Sequence, residues 1–163
     1  MASLNSLNRD ESQTELCTHT SAPQMSICMG TVLLLDDEPF ILRVLARTLD
    51  DSPYNVVRCH KPSQALEFVL HNDVALVVSD MTMPEMSGLD LLCAIHEFDP
   101  ALPVVLMTGR SDPDSVMQAL ESGASEYLIK PFDISKFKQT VQRHARPPKC
   151  FGENGPANMS AGG

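Results

Sequence analysis

The stretch Val74-Ala-Leu-Val-Val-Ser-Asp80 most constrains what this chain can fold into. Five of the six residues before Asp80 are apolar, without the alternation of a strand that shows one face to water. Such a run reads as a strand covered on both faces, which belongs in a parallel sheet flanked by helices. An aspartate at its carboxyl end stands where open α/β sheets gather their ligands. Pro84 and Gly88 then predict a loop, and a helical pattern begins at Leu89. Taken alone, Asp80 fits the end of a strand or the cap of a turn equally well.

The rest of the chain repeats the alternation. Thr31–Leu35 is an apolar run that stops at Asp36-Asp37-Glu38-Pro39, and Ile41, Val44, Leu45, Thr48 and Leu49 follow at helical spacing. Pro39 suits a first helical turn, where its missing N–H costs nothing. A short strand over Asn55–Cys59 precedes a helix over Pro62–His71, with Ala65, Leu66, Val69 and Leu70 on one face. After the Asp80 strand come a helix over Ser87–Glu97 and a strand over Val104–Met107 that ends in Thr108-Gly109. Ser111-Asp-Pro113-Asp opens a fourth helix that ends near Gly123. Glu126–Lys130 is a fifth strand stopped by Pro131, and a last helix over Asp133–Ala145 carries Ile134, Phe137 and Val141 inward. Five βα units with short connections predict a parallel sheet with helices on both faces.

In such an array the strand ends share one edge, which sets Asp36, Asp37, Asp80, Thr108 and Lys130 side by side. Clustered carboxylates repel unless a cation lies among them, and oxygen-only ligands favour Mg²⁺ over zinc. A lysine and a hydroxyl beside them offer charge and a hydrogen bond to an incoming phosphoryl group. Each residue also has a plainer use. The acidic pair can serve a helix N-terminus, Thr108 a turn, and Lys130 the solvated surface. Four such coincidences at four strand ends outweigh the plain reading of any one.

Charge narrows the function classes. The chain of 163 residues carries a formal net charge of −9. Residues 31–145 hold 17 of its 21 acids and 9 of its 12 bases, so the surplus belongs to the predicted domain. A domain with no basic stripe lacks what direct binding to nucleic acid requires. The five cysteines (Cys17, Cys28, Cys59, Cys93, Cys150) show no C-x-x-C spacing, which points to a reducing cytoplasm over a disulfide or zinc framework. No apolar run reaches membrane-spanning length. Residues 1–30, rich in Ser, Thr and Asn, read as a flexible leader, and 146–163, rich in Pro, Gly and Asn, as a disordered tail.

These residues carry a family resemblance. Leu-Leu-Leu-Asp36-Asp37-Glu38-Pro39, Val-Val-Ser-Asp80-Met-Thr-Met-Pro84-Glu-Met-Ser-Gly88, Val-Leu-Met-Thr108-Gly109 and Gly123-Ala-x-x-Tyr127-Leu-Ile-Lys130-Pro131-Phe132 resemble the receiver domain of two-component response regulators. The resemblance runs from about Thr31 to Ala145. It implies a flavodoxin-like, doubly wound sheet in strand order 2-1-3-4-5. It also implies phosphorylation of Asp80 by a histidine kinase or histidine phosphotransfer protein. Mg²⁺ would be bound by Asp37, Asp80 and the Thr82 carbonyl, with Asp36 acting through water. Lys130 would pair with Asp80 and then with the phosphoryl group, and Thr108 and Tyr127 match the family's switch pair. Thr82 and Arg110 stand at positions where the family tunes phosphoryl lifetime.

No output domain is legible after Ala145, so the expectation is a stand-alone receiver that signals through a protein effector or a second copy, without nucleic acid or membrane. It would catalyse only its own phosphorylation and dephosphorylation. A phosphohydrolase of the haloacid-dehalogenase kind also uses a strand-end aspartate with Mg²⁺. It needs a second acid two residues on, where this chain has Thr82.

Overall fold

Each apolar run forms a strand, and each strand is followed by a helix. The computed structural model describes residues 30–109 and 113–147. The strands are β1 (Gly30–Leu35), β2 (Tyr54–Cys59), β3 (Val74–Asp80), β4 (Val104–Thr108) and β5 (Glu126–Ile129). The helices are α1 (Pro39–Thr48), α2 (Pro62–His71), α3 (Gly88–Phe98), α4 (Pro113–Glu121) and α5 (Ile134–His144). All strand pairs are parallel, in the order β2-β1-β3-β4-β5. This is the flavodoxin-like doubly wound arrangement expected from the sequence.

Alternate residues of the strands feed two cores. Leu33, Leu35, Val77 and Leu106 pack with Ala65, Leu91, Leu92, Ile95 and Ala119, so α2, α3 and α4 cover one face. Val32, Leu34, Val78 and Val105 pack with Leu42, Leu45, Phe137 and Val141, so α1 and α5 cover the other. Every residue of β3 is buried, as its unbroken apolar run requires. Pro39 and Pro62 sit in the first turns of α1 and α2. Ser87 caps α3, its Oγ accepting the Asp90 N–H at 3.1 Å.

The inward assignment of Ile134 is corrected, and two positions of the apolar helical patterns also fall outside the core. Val44, Leu70 and Ile134 are exposed. On α1 the buried stripe is Leu42, Leu45 and Thr48, one position round from the Ile41–Val44 row. Periodicity fixes the width of an apolar face but not its centre when apolar residues flank it on both sides.

The start predicted for α4 at Ser111 and Asp112 falls outside the described residues, as do Arg110, residues 1–29 and residues 148–163. Arg146, which composition groups with the tail, is tied to the sheet. Its N–H donates to Ala75 O at 3.0 Å, its Nε to Val74 O at 2.9 Å, and its guanidinium lies 2.7 Å from Asp99.

Candidate phosphoryl-acceptor site

Strand order reverses between β1 and β3. Connections leave β1 toward one edge and β3 toward the other, which opens a crevice at their carboxyl ends. Asp36 follows β1 and Asp80 ends β3, so the fold brings both to that crevice. Lys130 reaches it from the end of β5.

One ammonium joins the two acids. Lys130 Nζ donates to Asp80 Oδ1 at 2.6 Å and to Asp36 Oδ2 at 2.7 Å. The other oxygens are also used: Asp36 Oδ1 accepts the Glu38 N–H at 2.9 Å, and Asp80 Oδ2 accepts the Thr82 N–H at 2.8 Å. Asp36 is fully buried and Asp80 is 7% exposed, so these are charge-assisted bonds in a site of low dielectric. Burial pulls the Lys130 pKa down, but its hydrogen bonds and charge contacts with Asp36 and Asp80 outweigh this, and the net shift is upward. The lysine therefore remains cationic wherever the protein is folded at ordinary pH.

Backbone bonds hold the strand ends in register around this pair. Met81 N–H donates to Met107 O at 2.7 Å, and Lys130 N–H to Thr108 O at 2.6 Å. Thr108 is buried at the end of β4, one register step past the residue opposite Asp80. Tyr127 lies opposite Leu106 and packs, half-buried, against the α2–α3–α4 core.

Asp37 and Thr82 are exposed at the rim. Among the described residues no three His, Cys, Asp or Glu side chains gather as a cation cage. Mg²⁺ does not need one, because it keeps most of its waters and takes one or two carboxylates with phosphate oxygens. The donor set of Asp37, Asp80 and the Thr82 carbonyl is oxygen-only and fits that ion.

Two features were not apparent in the sequence. Asp36 pairs directly with Lys130, whereas the resemblance gave it only a water-mediated part. Beside Lys130 an apolar trough of about 380 Å³ is lined by Phe40, Ile41, Val44, Pro131, Phe132 and Ile134. Ile134 was read as a core residue and in fact forms part of this wall.

Residues 32–142 match the response regulator receiver domain family. The chain belongs to that family. It is 38% identical over 110 residues to the transcriptional regulatory protein ZraR of Klebsiella oxytoca, covering 68% of this chain and 25% of that protein. It is 37% identical over 114 residues to the DNA-binding transcriptional regulator NtrC of Escherichia coli K12, covering 70% of this chain and 24% of the relative. The structure is similar to Vibrio cholerae chemotaxis protein CheY4, with a TM-score of 0.67 and 27% identity over 71% of this chain and 98% of that one.

The receiver thus spans about a quarter of the length of these two relatives. That corrects the expected partners. A partner set of kinase, protein effector or second copy, with nucleic acid excluded, is too narrow, because the relatives are transcriptional regulators and one is a DNA-binding protein by name. The acid surplus describes the receiver, and the electrostatics of a receiver do not decide what the remainder of a longer protein contacts. Among the described residues no helix is long and apolar enough to cross a membrane.

Proposed function

We propose that this receiver is a cytoplasmic phosphorelay module that takes a phosphoryl group onto Asp80 from the phosphohistidine of a histidine kinase or histidine phosphotransfer protein. The observation that carries this reading is the Lys130 ammonium held between Asp36 and Asp80 at the switch point of the sheet. A carboxylate oxygen of Asp80 forms the new P–O bond as the donor's P–N bond breaks and the imidazole leaves. Lys130 is positioned to follow the charge, exchanging its contact with Asp80 for one with a phosphoryl oxygen. The Thr82 N–H, 2.8 Å from Asp80 Oδ2, and the hydroxyl of Thr108 at the end of β4 would serve as donors to it. Mg²⁺, held by Asp37, Asp80 and the Thr82 carbonyl, would offset the charge of the phosphoryl oxygens when bound. Thr108 and Tyr127 form the proposed switch, changing the contact surface around β5 through which the module signals. No second substrate is turned over.

Acetyl phosphate labelled in its phosphoryl group tests the reading. The chain should take up about one label per molecule with Mg²⁺, as a hydroxylamine-labile acyl phosphate. Asp80→Asn should take up none while keeping its circular dichroism spectrum, and Asp37→Ala should lose the Mg²⁺-dependent labelling. Stoichiometric label on Asp80→Asn would identify another acceptor. Rapid turnover of unrelated phosphomonoesters would make the chain a hydrolase.

A further inference from the structure

A second concave surface lies on the far side of α1. Between α1 and the edge strand β2 runs a groove of about 700 Å³ whose walls include Arg43 and Arg47 from the helix and Arg58 from the strand. Phe40 (64% exposed) and Val44 (37% exposed) line it as well. Among the described residues none of these three guanidinium groups has an ion pair or hydrogen bond. Lys61, Lys130, Arg143 and Arg146, by contrast, each lie against an acid. Asp50 is the single acid on the wall, so the groove is locally cationic in a domain with 17 acids and 9 bases. Unneutralised guanidiniums beside exposed apolar side chains form a surface suited to an anionic, partly apolar segment.

The chain contains such a segment. Asp10-Glu11-Ser-Gln-Thr-Glu15-Leu16 has three acids and no base. Glu11 and Glu15 are spaced i, i+4, as are Arg43 and Arg47. Gly30, where the described chain begins, pairs with Tyr54 at the start of β2, the strand that supplies Arg58. Fifteen residues separate Glu15 from Gly30, an extended reach of about 50 Å, while Tyr54 to Arg58 spans only about 13 Å. A tether of that length supplies an effective concentration in roughly the millimolar range, enough for a contact made of weak exposed pairs. The acidic remainder of the domain repels the same segment.

We propose that Asp10–Leu16 docks in this groove of its own chain, its carboxylates on Arg43, Arg47 and Arg58 and Leu16 toward Phe40 and Val44. This occupancy does not depend on the phosphoryl chemistry proposed above, and its test involves no phosphorylation.

The full chain is compared with the combined variant Asp10→Asn, Glu11→Gln, Glu15→Gln by nitrogen-15 NMR of arginine Nε–Hε groups at low ionic strength. The triple variant should shift the Arg43, Arg47 and Arg58 signals. About 0.5 M NaCl added to the unaltered chain should move the same signals the same way, since screening at that strength shortens the reach of charge to a few ångströms. Arg43→Gln with Arg47→Gln should shift the Glu11 and Glu15 amides in return. Arginine signals indifferent to the triple substitution would overturn the proposal. So would shifts that grow with protein concentration, which would place the segment on a second copy.

Discussion

Gly88, the first residue of α3, lies against the backbone of Asp80. A Cβ added there would collide with the Asp80 carbonyl oxygen and stand 2.9 Å from the Met81 Cα. The Gly88 N–H donates to Met81 O at 2.9 Å, so the start of α3 and the end of β3 are fastened at van der Waals contact. Both obstacles are backbone and cannot rotate away. Gly88→Ala should therefore destabilise the domain by about 1–3 kcal/mol, the range for overpacking, and displace the Asp80 loop. Chemical denaturation gives the first quantity, and the rate of labelling by acetyl phosphate reports the second. Unchanged stability and rate would show that the loop yields more easily than this packing implies.

Lys130 holds two buried carboxylates, and removing it leaves them facing each other. Lys130→Met keeps much of the volume and discards the charge. It should cost about 2–4 kcal/mol, somewhat less than the 3–5 of a wholly buried pair, because the lysine side chain retains 21% exposure. Adding Asp36→Asn should recover part of that loss, since one of the opposed charges is gone. A double-mutant cycle measured by urea unfolding checks this. Additive losses would mean that Asp36 and Lys130 are not coupled as their 2.7 Å separation requires.

The same residues show what the sequence could and could not disclose. Asp80 was legible because an unbroken apolar run marks a two-face strand, and Asp36 and Lys130 because each closes another such run. The direct Asp36–Lys130 bond was not legible, because 94 residues separate them and only the sheet order makes them neighbours. Gly88 reads from sequence as a loop former; its contact with Asp80 depends on how α3 docks. Val44 and Ile134 show the limit of periodicity, which counts apolar positions without saying which of them the core reaches. Arg146 lies among residues that composition assigns to the tail, and no local pattern reveals its bonds to Val74 and Ala75.

Alkaline pH should weaken the fold in two stages. Burial at the end of β2 raises the Cys59 thiol above its ordinary range. Unfolding frees the thiol to ionise, so above its unfolded pKa of about 8.5 the unfolded state binds fewer protons and stability falls as pH rises. Lys130 adds to this higher up. Its folded pKa is raised, so its contribution is complete below the unfolded value of about 10.4 and disappears as pH climbs through the folded one. Melting temperatures between pH 7 and 11 should fall, and Cys59→Ala should flatten the earlier part of the decline. A profile unchanged by that substitution would place the alkaline loss elsewhere.

The last expectation concerns how a phosphoryl group on Asp80 reaches the surface. It would add roughly two negative charges and three acceptor oxygens beside Lys130. The Lys130 N–H is already bonded to Thr108 O, so the ends of β4 and β5 move together or that bond breaks. Thr108 is buried, and a turn of its side chain toward the new oxygens would vacate space on the face shared by Leu106 and Tyr127. Tyr127 is half-buried there, with exposed Met117 and Leu120 of α4 and Ile129 of β5 on the surface beyond. Moving its ring inward would change that surface without altering any strand pairing. Beryllofluoride with Mg²⁺ should therefore shift amide signals across residues 108–135, and Thr108→Ala should remove most of those shifts while leaving the ones around Asp36, Asp37 and Asp80. If the native chain responds only in those three loops, Thr108 and Tyr127 do not transmit the change, and the surface around β5 is static.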